Sequence, residues 1–299
     1  MGEIAALATS LFWSLTSIQF TLAGRRIGVE ATNRIRLLLA TLFLSLTHLV
    51  LQGELWPLKA ELFRWGWLGL SGIVGLALGD TSLFKALVLI GPRRSMLMMT
   101  LTPVISSLLA WGFLGETLQP IEFGAALLAI AGTAWVVSEG PSSNSRAQTA
   151  KNTKQYAHGV LYGLGGALGQ ALGLVLATQG LTGNFPALSA TLIRMAVAAS
   201  VIWFFALIRG QVKTASHSLV DRNVWLLIVG GSLTGPFLGV WCSMIAVQGT
   251  PVGIASTLMA LSPILLVPLE HWFFGEKVSA RAVAGTIVAL AGAAIIFLT

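Results

Sequence analysis

Charged side chains are scarce in this sequence. Asp, Glu, Lys and Arg make up only 10% of the 299 residues, whereas soluble domains carry about 25%. Hydrophobic residues reach 55%, and the mean hydropathy is +0.83. They come in blocks of about twenty residues, the length that crosses a bilayer core roughly 30 Å thick. The composition leaves no room for a separate soluble domain and predicts a polytopic integral membrane protein.

Cysteine is almost absent as well. The single cysteine, Cys242, lies inside an apolar block, which excludes an internal disulfide and a cysteine-based metal site. The four histidines show no metal-ligand spacing, and the sequence lacks the Gly-x4-Gly-Lys-Ser/Thr motif of nucleotide-binding loops. We therefore predict no metal, no cofactor and no ATP hydrolysis by the chain itself.

The basic residues indicate a membrane surface rather than nucleic acid. The formal net charge is +7, and in a membrane protein such an excess marks cytoplasmic loops that face anionic lipid. We therefore expect the lipid bilayer and a small molecule as partners and no nucleic acid. The oligomeric state is left open.

Ten apolar blocks are predicted as membrane-spanning helices. They cover residues 4–22, 35–52, 65–89, 94–114, 118–138, 158–180, 186–208, 223–247, 252–274 and 279–298. The one long polar stretch, residues 139–157, is predicted to be a flexible linker. It separates a first five-helix repeat at 1–138 from a second at 158–299.

The two halves are internally similar at one fixed offset, the repeat offset, which carries Leu101 to Leu261 without a gap. The matched segments are Leu101–Pro103 with Leu261–Pro263, Phe113–Glu116 with Phe273–Glu276, and Ala129–Gly132 with Ala289–Gly292. The row Ser71, Gly75, Gly79 matches Gly231, Gly235, Gly239, and Arg36 corresponds to Arg194 with a small shift. Because five is odd, the second repeat must enter the membrane upside down. Inverted repeats of this kind are typical of transporters that open to each side in turn.

Lysine and arginine predict the orientation. Counting alternate loops places fourteen on one side, namely Arg25, Arg26, Arg34, Arg36, Arg93, Arg94, Arg146, Lys151, Lys154, Arg209, Lys213, Arg222, Lys277 and Arg281. Only Lys59 and Arg64 fall on the other side. The positive-inside rule then predicts a cytoplasmic linker and external termini in a multi-pass cell membrane protein.

These features resemble the drug/metabolite transporter superfamily, specifically its EamA-type members. The resemblance rests on the five-plus-five repeat, the Pro-to-Gly-Glu spacing from Pro103 to Glu116 and from Pro263 to Glu276, and the glycine-rich ends of the fifth and tenth predicted helices. It implies an all-α fold of ten transmembrane helices, arranged as two inverted five-helix repeats around a central cavity. The fifth and tenth helices would lie outside that cavity.

Three ionisable residues within the predicted spans are candidates for function, because such groups are costly in a bilayer. Asp80 has Val240 as its repeat counterpart, so it is a candidate for substrate contact or proton carriage; a structural polar contact is the alternative. Arg194 fits either structural pairing or an anionic substrate. Glu270 is a second candidate for proton coupling.

Uncharged candidates complete the predicted substrate site. Phe84, Met98, Trp111 and Trp241 can form an apolar wall, although tryptophan is also common at membrane interfaces. Gln19, Gln170 and Gln248 can orient a zwitterion or join neighbouring helices.

The sequence therefore predicts a secondary active or facilitative transporter that exports a small metabolite such as an amino acid by alternating access. A phosphorylated-metabolite or sugar exchanger is disfavoured because deep cationic residues are few. The alternative from another class is a polytopic membrane enzyme, which would need a cluster of histidines and carboxylates at one membrane face.

Overall fold

The computed structural model describes residues 1–114, 120–138, 153–183, 185–211, 221–250, 255, 258–274 and 279–298. These residues are nearly all helical and include no strand. The helices are α1 (Gly2–Ile27), α2 (Val29–Gln52), α3 (Leu62–Ile90), α4 (Pro92–Met98), α5 (Leu101–Leu114), α6 (Pro120–Ser138), α7 (Thr153–Gly180), α8 (Ala187–Ile208), α9 (Arg222–Gly249), α10 (Ser262–Phe274) and α11 (Ala280–Leu298).

Six of these helices are long and apolar enough to cross a membrane, namely α1, α2, α3, α7, α8 and α9. Two further helices, α6 and α11, contain shorter apolar segments at Phe123–Ser138 and Ala280–Ile295. The prediction of an all-helical membrane protein is confirmed at this level.

The helix predicted at 94–114 is two helices in the structure. Helix α4 ends at Met98, and α5 begins at Leu101. Pro103 has no N–H to bond to the carbonyl of Met99, four residues earlier, and the N–H of Thr102 bonds to that oxygen instead at 3.0 Å. The second half shows a related interruption, because α10 begins at Ser262, one residue before Pro263, after a turn at residues 260–261.

Two helices contain a π-helical segment at matching positions. The segment in α3 is Gly72–Gly79, and the one in α9 is Leu233–Gly239. Shifted by the repeat offset, the first would cover 232–239, so the repeat extends to this irregular geometry. Pro236 lies inside the second segment, where its missing N–H removes a helical hydrogen bond. Such π-helical turns are frequent at functional sites.

Glycines let each half pack against the first helix of the other half. In α3, Gly79 lies against Gly169 of α7 so closely that a Cβ on Gly169 would be 2.6 Å from the Cα of Gly79. In α9, the carbonyl of Gly231 accepts a hydrogen bond from Thr16 of α1 at 2.9 Å. Small residues permit this backbone approach within membranes. The two halves therefore interlock through α3 with α7 and α9 with α1.

Helices α6 and α11 pack on each other. Gly132 of α6 lies against the backbone of Ala289, and Gly292 of α11 lies against the backbone of Ala129. The repeat offset relates these two glycines to each other. Within the described part of the chain, neither helix contributes a residue to the cavity described below.

We expect Gly132→Ala to lower the unfolding temperature of the purified protein, because the added methyl would collide with the Ala289 backbone. Overpacking of this kind costs about 1–3 kcal/mol. Thermal unfolding in detergent, followed by tryptophan fluorescence, measures the effect. The control on the same helix is Gly124→Ala, where nothing lies within 4 Å of the new Cβ. Equal losses in both variants would contradict the close packing of α6 on α11.

Candidate functional site

A central cavity of about 110 Å³ lies between the two halves. A single water needs roughly 10–15 Å³ measured in this way, so the space holds several waters or a small metabolite. Its apolar wall includes Trp13, Phe20, Phe84, Met96, Met99 and Met259. Its polar residues include Ser17, Arg36, Asp80, Thr102, Gln170, Arg194 and Ser243. Helices of both repeats contribute to the wall.

The strongest polar contact at the cavity joins Arg36 to Asp80. One guanidinium nitrogen, Nη2, lies 2.5 Å from Asp80 Oδ2. The Arg36 side chain is 3% exposed and that of Asp80 is 16% exposed. A buried charge of this kind requires a partner and further hydrogen bonds to remain in the interior.

The π-helical segment of α3 shapes the surroundings of this ion pair. The Asp80 N–H bonds to the carbonyl of Gly75, five residues back, rather than to that of Leu76, four residues back. The Leu76 carbonyl accepts a hydrogen bond from Arg36 Nη2 at 3.3 Å. One turn before Arg36 on α2, Asn33 Oδ1 accepts from Arg36 Nε at 2.7 Å. Three acceptors therefore surround one guanidinium.

Two aromatic rings lie against the same guanidinium. The Arg36 Cζ atom is 4.7 Å from the ring centroid of Phe84 and 5.8 Å from that of Phe20. The two rings are 5.0 Å apart. Cation–π attraction favours this placement, the more so away from water. The rings hold the charge at the cavity wall and give the wall its apolar character.

Arg194 is the second buried guanidinium at the cavity and is far less well bonded. Its side chain is 3% exposed. Nη1 contacts Met244 Sδ at 3.3 Å, a weak acceptor, while Nε has no hydrogen-bond partner among the described residues. Gly72 makes room for this part of α8, because a Cβ there would collide with the Arg194 backbone.

Four of the predicted site residues line the cavity: Asp80, Phe84, Gln170 and Arg194. The side chains of two others, Trp111 and Glu270, lie outside the described part of the chain. Whether any of these residues binds substrate stays a prediction.

The other predicted site residues do not line the cavity. Gln19 accepts a hydrogen bond from Thr234 at 3.0 Å and so joins α1 to α9. The Gln248 side chain is exposed and donates to the carbonyl of Phe185 at 2.6 Å. For these two residues the structure supports the interhelical alternative.

Met98 and Trp241 pack in apolar clusters and are not among the residues that line the cavity. Met98 is 2% exposed and packs with Ala86 and Ile90, and the methionines of the cavity wall are its neighbours Met96 and Met99. The Trp241 ring lies 5.9 Å from that of Phe237 in a packed cluster. Whether either one contacts substrate stays a prediction.

Sequence reasoning missed Arg36 as a site residue because its place early in the second helix suggested a membrane face. The signal was present in its correspondence with Arg194 and in Asn33, three residues earlier on the same face of α2. The structure instead buries Arg36 at the cavity.

The repeat and the cavity agree with the comparison with known families. A model described as "EamA-like transporter family" matches residues 1–138 and 157–298. The chain belongs to this family. EamA-like proteins are membrane transporters of small molecules, so this chain is a multi-pass membrane protein whose substrate is a small molecule.

Comparison with individual proteins gives evidence on the fold of this EamA-like chain. No curated protein matches its sequence. A solved structure described as "Crystal structure of protein" superimposes with a TM-score of 0.65 at 18% sequence identity, covering 99% of this chain and 96% of that one. At this identity the likeness shows the fold alone.

We expect Asp80→Asn to destabilise the protein by about 3 kcal/mol, because the buried Arg36 guanidinium loses its counter-charge. The double variant with Arg36→Gln should be more stable than the sum of the two single losses predicts, since neither charge is then left alone. Thermal unfolding of the four proteins in detergent measures this coupling. Strictly additive losses would contradict a functional ion pair between the two residues.

Proposed function

We propose that the chain is a secondary transporter that exports a small polar or amphipathic metabolite, with amino acids as the first candidates, by alternating access. The observation that carries this proposal is the cavity between the two repeats, which combines a buried ion pair with an apolar wall. A zwitterion with a hydrocarbon side chain matches both parts. The family match supports transport of small molecules, and the resemblance to EamA-type exporters supports export as the direction of transport.

The ten-helix inverted repeat is part of this proposal. Helices α4 and α5 together would form the fourth crossing, and α10 would belong to the ninth, preceded by residues 252–261. The paired π-helical segments and the exchange of packing partners between halves support two related units. Units of opposite orientation can exchange conformations and so expose one site to either side.

The proposed topology has a cytoplasmic linker at 139–157, external termini and a place in the cell membrane. The structure changes the charge count behind it. Arg34 and Arg36, counted with the first basic loop, lie on α2 and are 4% and 3% exposed. Removing both leaves twelve basic residues against two, which still favours the same orientation.

Proton coupling is the proposed energy source, with Asp80 as the first carrier to test and Glu270 as the second. Asp80 fits because its carboxylate faces the cavity and already pairs with Arg36. Protonation would end the charge attraction and free the guanidinium. A facilitator without coupling is the alternative, in which the ion pair is structural.

A phosphorylated-metabolite or sugar exchanger is the second candidate function. The sequence disfavoured it for lack of deep cations, but Arg36 and Arg194 both belong to the lining of one cavity. A membrane enzyme is the less favoured alternative, because the family match supports transport.

Reconstituted protein should take up a labelled amino-acid mixture saturably and in response to a pH gradient. We expect Asp80→Asn to reduce this flux about tenfold or more, the effect of losing one charge-assisted hydrogen bond. Gln248→Ala, outside the cavity, is the control and should keep the flux. Flux that is changed neither by the pH gradient nor by Asp80→Asn would indicate a facilitator. No flux above empty vesicles would reject amino acids as substrates.

The topology is testable with single cysteines in a Cys242→Ser background. We expect Glu61→Cys to react with a membrane-impermeant maleimide on intact cells, because it lies in the loop assigned to the outside. Ser145→Cys, in the linker, should react only after the cells are permeabilised. The opposite pattern would invert the proposed orientation.

A further inference from the structure

Each of the two repeats contributes one arginine to the cavity. Arg36 lies on α2, and Arg194 lies on α8, the second helix of the other repeat. Each guanidinium touches a side chain at the same repeat position, since the repeat offset carries Phe84 to Met244. Arg36 Cζ is 4.7 Å from the Phe84 ring centroid, and Arg194 Nη1 is 3.3 Å from Met244 Sδ. Both arginines line the same cavity.

The side-chain hydrogen-bond acceptor for Nε, however, is present at Arg36 and, among the described residues, not at Arg194. Asn33, which accepts from Arg36 Nε, corresponds to Thr191 when α2 and α8 are aligned on their two arginines. Thr191 donates to its own helix at the Ala187 carbonyl, at 2.7 Å, and Arg194 Nε finds no partner within the described structure.

Among the described side chains, the carboxylate is likewise present only at the Arg36 site. Asp80 corresponds to Val240, which also lines the cavity. Asp80 attracts Arg194 through space, but no hydrogen bond is present between these two described side chains, because Asp80 is engaged with Arg36. The described lining therefore holds two arginines against one acid. A lone guanidinium in a membrane interior calls for an anion or water.

We propose that the missing counter-ion is the substrate: its carboxylate binds Arg194 beside Val240, in the position that the Asp80 carboxylate occupies beside Arg36. This inference rests on the proposed function and specifies its substrate class as apolar molecules with a carboxylate. One uncompensated positive charge matches a singly charged carboxylate better than a doubly charged phosphate. The apolar part of the substrate lies against the wall formed by Phe20, Phe84 and Met96.

A first test needs no ligand. Val240→Asp places a carboxylate where the proposal puts that of the substrate, so its effect on the unfolding temperature should depend on Arg194. We expect Val240→Asp to lower that temperature clearly more in an Arg194→Gln background than in the wild-type background. Val240→Asn, of similar shape but uncharged, should show no such dependence. An equal loss from Val240→Asp in both backgrounds overturns the proposed geometry, whether or not the protein transports anything.

A second test identifies the ligand class by binding to the purified full chain in detergent. The probes are L-leucine, 4-methylpentanoate, L-leucinamide and isopentyl phosphate, which share a branched hydrocarbon and differ in the polar group. We expect the two carboxylates to raise the unfolding temperature and the amide to leave it unchanged. Val240→Asp should weaken carboxylate binding about tenfold or more relative to Val240→Asn.

Three outcomes of the binding test would overturn the proposal. They are binding of the amide as tightly as the acid, binding of the phosphate alone, and no binding of either carboxylate. Because binding in detergent does not require transport, a carboxylate that binds without being moved would reject the proposed function but would still support a carboxylate-binding site at Arg194.

Discussion

A guanidinium group inside a membrane protein must be given a counter-charge and hydrogen-bond acceptors, because the hydrocarbon around the protein supplies neither. Arg36 meets that requirement with Asp80, Asn33 and the Leu76 carbonyl. The arrangement depends on the π-helical segment of α3, which shifts the hydrogen bond of Asp80 to Gly75. That segment in turn packs against α7 through glycines. The ion pair, the helix irregularity and the contact between halves thus form one connected unit.

The repeat offset identified much of this framework from sequence. It related Pro103 to Pro263 and the glycine rows of α3 and α9, and these residues lie at the helix interruption, the helix start and the π-helical segments of the structure. Asp80 stood out because an acid is costly in an apolar block. Four of the nine residues predicted to contact substrate line the cavity, and three of them, Asp80, Gln170 and Arg194, are polar groups that stand out within apolar blocks.

The rest of the site could not be predicted from the spacing of residues in the sequence. Asp80 and its partner Arg36 are 44 residues apart, and only tertiary packing brings them together. Helix α4 ends at Met98, and the methionines of that segment that line the cavity are Met96 and Met99 rather than the predicted Met98. Gln19 and Gln248 have the chemistry of substrate contacts, but their partners are Thr234 and a loop carbonyl.

We propose that one cavity opens to each side of the membrane in turn, and thiol labelling at the cavity wall would reveal such opening. Ser243 lines the cavity. The substitution Ser243→Cys in a Cys242→Ser background would leave a single cysteine in the cavity wall. An impermeant thiol reagent would then be applied to right-side-out and inside-out vesicles. Alternating access predicts labelling from both sides of the membrane. Labelling from one side only, under all conditions, would contradict alternating access through this cavity.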